Sequence, residues 1–159
     1  MSKHIHHLQA QDIIVYVDGY WLRNYASDFF NAAISYKNES NRFSPVPYYL
    51  LCHSIELSFK SFLFTVGYKR KDRKKINHDL YKALDISEKA GLNAHIDITQ
   101  DDRELISNVN NLYEKKQFEY YENLKVVYDP IKVDIEELAS FARRLLEAIE
   151  KPVRESICR

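Results

Sequence analysis

Cysteine, glycine and proline are all scarce in this chain, and each shortage removes a class of protein. Two cysteines, Cys52 inside an apolar run and Cys158 beside the last residue, form neither a disulfide framework nor a metal-ligand spacing. A reduced, cytoplasmic setting is expected, with no metal and no cofactor. Three glycines and four prolines in 159 residues are too few for a sandwich, a barrel or a βαβ protein, each of which needs many special turns. No apolar run reaches the length of a membrane span, and the opening residues lack the apolar core and small-residue cleavage site of a signal peptide. A soluble, unprocessed chain is expected. The formal net charge is zero, so any attraction to nucleic acid must come from a local patch.

What is present reads as one helical domain. Apolar residues make up 45% and charged residues 29% of the chain, a globular composition long enough to build one core. Residues 1–10, "MSKHIHHLQA", read as a flexible tail; His4, His6 and His7 could be taken for metal ligands, but a tail lacks the preorganised geometry of a site. From Asp12 to about Ser35 the β-branched Ile13, Ile14, Val15 and Val17 allow a short strand. Trp21, Leu22, Tyr25, Phe29, Ala32 and Ala33 recur at helical spacing, and one long helix, irregular near Gly19, is the preferred reading. Residues 48–66 form the most apolar segment and predict the central helix, introduced by Pro45 and Pro47 and stopped by Gly67. Within it Glu56 and Lys60 form an i,i+4 pair in the favourable order.

A basic loop follows, and then a helix with Asn77 as its N-cap, Asp79 in its first turn, Leu80, Ala83, Leu84 and Ser87 on its buried stripe, and Gly91 just past its end. Another helix is predicted from about Asp101 to Lys116, then an irregular aromatic stretch ending at Pro130. A last helix runs from about Val133 to Lys151. The fold class is therefore all-α, an up-and-down bundle of about five helices.

Three segments in order carry a family resemblance. "SIELSFKSFLFTVGY", with Glu56 and Lys60 in E-x-x-x-K spacing, is followed after a charged loop by "HDLYKAL" and then by "LYEKKQFEYYE". Over residues 45–150 this order resembles the HEPN superfamily of small helical domains from prokaryotic defence and nucleotidyltransferase-linked systems. Glu119 stands where that family often has arginine, and Tyr121 where it has proline. The resemblance implies a HEPN-like bundle, a homodimer paired through its helices, and a partner protein of antitoxin or nucleotidyltransferase type. Separately, "YVDGYWL" is similar to the opening strand of PIN-like nucleases, in which an aspartate at the place of Asp18 binds metal; no matching acidic set follows it.

Catalytic HEPN domains are metal-independent endoribonucleases with an R-x4-6-H motif, and Arg73 and His78 have that spacing. In such chemistry histidine moves the proton and arginine stabilises charge on the phosphate. Lys74 follows the arginine, however, and His78 stands where a helix begins, so a purely structural reading is equally easy to write: the histidine helps to start the helix and Arg73 is one cation among several. The run from Lys69 to Lys75 is basic at every position but Asp72, whereas residues 97–137 are mostly acidic among their charged positions, so a lopsided molecule is expected. Lys69, Arg70, Lys71, Lys74 and Lys75 are candidate phosphate contacts for RNA or another nucleic acid, needing no base-specific groups; the alternative is a solvated loop. Cys52 and His53 are adjacent on a helix and about 100° apart, so they do not form a nucleophilic pair. The aromatic stretch from Phe118 to Tyr128 is either packing or an interface.

The expected function is accordingly a non-catalytic interaction or nucleic-acid-associated module. A ribonuclease using Arg73 and His78, and a purely structural dimerisation domain, are the alternatives.

Overall fold

The protein is described here by a computed structural model that covers residues 17–39, 42–119 and 133–157. Six α-helices and one short 3-10 turn make up its regular structure, and no strand occurs among the described residues. The all-helical expectation holds, with one helix more than the sequence suggests. The strand-or-helix choice at residues 13–15, the tail histidines, most of the aromatic stretch after Phe118, and Cys158 lie outside the described residues.

α1 (Gly19–Ser35) starts well after residue 12 because the Asp18 carboxylate accepts the Trp21 N–H at 2.7 Å and caps the helix. Asp18, weighed above as a metal ligand, is a helix cap. Gly19, Ala26 and Ala33 are buried and recur at every seventh residue, so α1 presents a seam of small side chains to α2 (Val46–Thr65). Across that seam Ser61 donates to the Gly19 carbonyl at 2.6 Å and Ser54 to the Ala26 carbonyl at 2.8 Å. The two helices therefore run antiparallel and close together. A Cβ on Gly19 would lie 2.7 Å from Thr65 Oγ1 and 3.2 Å from the Ser61 carbonyl oxygen, so a side chain there forces its neighbours to shift. Along α1, Trp21 packs on Tyr25 with ring centroids 4.8 Å apart, and Tyr25 meets Phe29 edge-on at 4.9 Å.

α2 is central because it is buried on nearly every side, from Leu51 and Ile55 through Phe59 and Phe62 to the polar Ser54, Ser58, Ser61 and Glu56. It ends as expected at Gly67, where φ is +92°. The Gly67 N–H bonds the Phe64 carbonyl and the Tyr68 N–H bonds the Leu63 carbonyl, the paired arrangement that closes helices in a left-handed residue. α6 (Ile135–Ile157) lays Leu138, Phe141, Leu145, Ile149 and Val153 against α1 and α2. It outruns its predicted end at Lys151 and passes through Pro152. The fully buried Val153 holds the final turns to the core despite the lost hydrogen bond. Arg23 bonds the Leu146 carbonyl and pairs with Glu150 at 3.0 Å, fastening α1 to α6.

Two further corrections concern the stretch that leads to the site. Residues 70–74 are not a loop but a short helix, α3 (Arg70–Lys74), anchored by the buried Ile76 just beyond it. The N-cap of α4 (Leu80–Lys89) is Asp79, whose carboxylate accepts the Lys82 N–H at 2.9 Å; Asn77, the expected cap, instead adopts a left-handed turn at φ +55°. The buried stripe of α4 is as expected, and Gly91 follows its end at φ +99°. α5 (Gln100–Tyr113) begins in a capping box in which Thr99 and Asp102 bond each other's backbone N–H. Asp102 also pairs with Arg144, tying α5 to α6.

Candidate functional site

The helical period of α2 puts His53, Glu56 and Lys60 on one stripe, facing the seam where α4 and α5 approach. Glu56 is the hub. Only 2% of it is exposed, and its carboxylate takes donors from three segments. Lys60 pairs with Oε1. Tyr113, the last residue of α5, donates its hydroxyl to Oε2 at 2.6 Å, and His78 Nδ1 reaches the same oxygen at 3.0 Å.

The lead-in to α4 is what delivers His78. Asn110 of α5 accepts the Leu80 N–H at 2.7 Å and donates to Asp79, so α5 holds the head of α4 in place. The left-handed turn at Asn77 then aims its carbonyl at the Lys60 ammonium, 3.1 Å away.

The proton positions in this cluster follow from its donors. Tyr113 has one hydroxyl proton, and the short bond to a buried carboxylate takes it. His53 Nδ1, 2.9 Å from the Tyr113 oxygen, must therefore be the donor there. His78 Nδ1 likewise donates to Glu56, so both rings spend Nδ1 on the network. Burial pushes the Glu56 carboxyl up, but the Lys60 charge and the hydrogen bonds from Lys60, Tyr113 and His78 outweigh it and hold the group below its usual range. The Tyr113 hydroxyl is driven strongly upward by burial and then by the Glu56 charge, so it remains a donor at any physiological pH. Burial lowers His53 below its ordinary value, with Lys60 and His78 adding to the effect and Glu56 opposing it. Its ring is wedged between Phe29, edge-on at 4.4 Å, and Tyr49, stacked at 5.8 Å.

Arg73 belongs to a different neighbourhood. Its guanidinium bonds the Tyr68 carbonyl and lies over the Phe64 ring, 4.4 Å from the centroid. Arg73 and His78 thus turn to separate partners, and the spacing of five does not by itself assemble a site. Burial lowers the Arg73 pKa, and the nearby Arg70 charge lowers it further.

Folding residues 70–74 as a helix also sorts the cations by face. Arg70, Arg73 and Lys74, at i, i+3 and i+4, line one side of a groove of about 520 Å³ together with Lys60, while Val17, Leu22 and Phe64 supply its apolar lining. Lys69, Lys71 and Asp72 face a second, shallower depression, and Lys75 pairs weakly with Asp72 at 3.7 Å. The single acid of the run therefore sits away from the groove. Lys60 is the link between the two neighbourhoods, bound to Glu56 on one side and lining the groove on the other.

Two further candidates, Cys52 and Phe118, lie in the core. Cys52 is fully buried, and burial followed by the Glu56 charge pushes its thiol up, so it is an inert core residue. Phe118 is buried and stacks on Tyr48 at 5.9 Å. Among the described residues no group of three or more His, Cys, Asp or Glu side chains could hold a metal ion, and no helix is long and apolar enough to cross a membrane. Sequence reasoning missed Tyr113, His53 and Asn110 as members of the cluster, and Leu22 and Phe64 as groove residues. The signal that was available was Glu56 itself, an acid inside the most apolar run of the chain. No family model, curated protein or solved structure matches this chain.

Proposed function

We propose that this chain is a HEPN-like, non-catalytic interaction module that contacts nucleic acid through the basic surface of α3. In this reading it acts in the cytoplasm as a homodimer, beside a partner protein of antitoxin or nucleotidyltransferase type. One observation carries the reading: α3 gathers Arg70, Arg73 and Lys74 on one groove while its only acid faces elsewhere. Among the described residues no carboxylate pairs with these three. Uncompensated cations on a neutral protein gain affinity for polyphosphate by counterion release.

The test is fluorescence anisotropy of a labelled single-stranded RNA over a range of KCl concentrations. Binding should weaken steeply with salt, and the triple change Arg70→Gln, Lys71→Gln, Lys74→Gln should flatten the log–log slope by about 2, at roughly 0.7 per lost phosphate contact. Affinity indifferent to salt and to these changes removes the reading.

A metal-independent ribonuclease is the second reading, and what favours it is the buried Glu56 carboxylate oriented on His78 Nδ1, which leaves Nε2 for proton transfer. The same RNA incubated in EDTA decides between the two. Cleavage by the wild-type chain and none by His78→Ala places the ribonuclease first, and intact RNA leaves the binding module.

A further inference from the structure

The two faces of α3 differ in more than direction. On the outer face Lys69 and Lys71 are exposed cations beside Asp72, suited to one phosphate at a time along a strand. On the groove face three cations without carboxylate partners among the described residues converge on one concavity, which Lys60, Val17, Leu22 and Phe64 also line. Its volume of about 520 Å³ lies in the range of small-ligand sites.

An internal phosphodiester brings one negative charge and must continue in both directions, although part of the groove's lining, Val17, Leu22 and Phe64, is apolar. A phosphate monoester at pH 7 brings nearly two charges on three terminal oxygens and continues in one direction only. Arg70 and Arg73 lie close enough that their charges oppose each other, so a dianion between them also relieves a repulsion built into the fold. Arg73 is held in place by the Tyr68 carbonyl and the Phe64 ring, so less side-chain freedom is lost on binding.

We infer that the groove captures the terminal phosphate monoester of a nucleic-acid strand, with the outer cations of α3 holding the diester phosphates that follow. The inference rests on the nucleic-acid reading above and names the part of the strand that the groove takes. A 5′ end, a 3′ end and a free nucleotide share this chemistry, and the probes below separate them.

The experiment measures anisotropy of one internally labelled RNA oligonucleotide carrying a 5′-phosphate, a 3′-phosphate or hydroxyls at both ends, with AMP and inorganic phosphate as competitors. One of the phosphorylated forms should bind at least about tenfold tighter than the hydroxyl form, the factor that one charge-assisted hydrogen bond supplies. Arg70→Gln with Lys74→Gln should erase that preference. Lys69→Gln with Lys71→Gln should weaken all three forms by a similar factor and keep it. Equal binding of the three forms by the wild-type chain overturns the inference while the nucleic-acid reading stands. Binding of AMP with no oligonucleotide bound overturns both, since the groove then serves a free phosphate ester. Absence of binding to every probe likewise ends both.

Discussion

Glu56→Gln isolates the charge of the buried hub while keeping its shape. All three partners of the carboxylate are donors, from Lys60, Tyr113 and His78. An amide offers one acceptor oxygen and turns its own N–H donors toward whichever partner it does not serve. If the oxygen stays with Tyr113 and His78, the amide nitrogen faces the Lys60 ammonium, whose side chain is only 20% exposed. Removing one member of a buried, hydrogen-bonded pair costs about 3 kcal/mol or somewhat more, because the other charge is left uncompensated. In a domain of this size that is a fall in Tm of roughly 6–12 °C. The assay is urea unfolding followed by circular dichroism, with the m-value checked for constancy. Adding Lys60→Met should recover part of the loss, because the stranded cation is removed as well. A loss below about 1 kcal/mol, or a double variant whose cost is the simple sum, would refute the account of Glu56 as a hub that binds Lys60.

Two other perturbations test the same architecture. The ordinary pKa of histidine is 6.5 and that of glutamate 4.5, and both His53 and Glu56 lie below these values in the fold. A depressed His53 contributes stability that is complete above pH 6.5 and is lost as pH falls toward its folded value. Glu56 contributes stability that is present above pH 4.5 and is lost as pH falls through its folded value. Both therefore act in one direction, and urea midpoints should decline from pH 7 downward, with His53→Gln flattening the upper part; a midpoint that rises from pH 7 to 5.5 contradicts the cluster. At the α1–α2 seam, Gly19→Ala places a Cβ 2.7 Å from Thr65 Oγ1 and should cost about 1–3 kcal/mol by overpacking. Thr65→Ala in the same chain should return part of it, and a Gly19→Ala variant as stable as wild type would show that the seam is looser than described.

The legible parts of this protein are those in which one local signal suffices. The apolar density of residues 48–66 marks α2, Gly67 and Gly91 mark helix ends, and Glu56 with Lys60 are neighbours by helical period alone. α3 was not legible, because five residues dominated by like charge carry no hydrophobic period, and the turn is fixed from outside by the buried Ile76 and by Phe64 and Tyr68, which hold Arg73. Asn77 and Asp79 are both good caps by residue type. The choice between them falls to Asn110, 31 residues from Asp79, which bonds the Asp79 side chain and the first N–H of α4. The cluster was half legible for the same reason. Tyr113 reaches Glu56 across 57 residues and His53 reaches Tyr113 across 60, separations over which no spacing rule operates. Arg73 and His78 show the converse, since the spacing says nothing of the partners each side chain takes, Phe64 and Tyr68 for the arginine and Glu56 for the histidine.

The aromatic stacking on α1 gives the protein an optical property. Trp21 is the only tryptophan in the chain, and it rests on Tyr25 one residue before Leu22, a lining residue of the basic groove. Its emission comes from a single place in the molecule. Energy absorbed by the neighbouring tyrosine, 4.8 Å away ring to ring, can pass to it. The chain thus carries an intrinsic fluorophore beside its candidate binding surface, readable without a label.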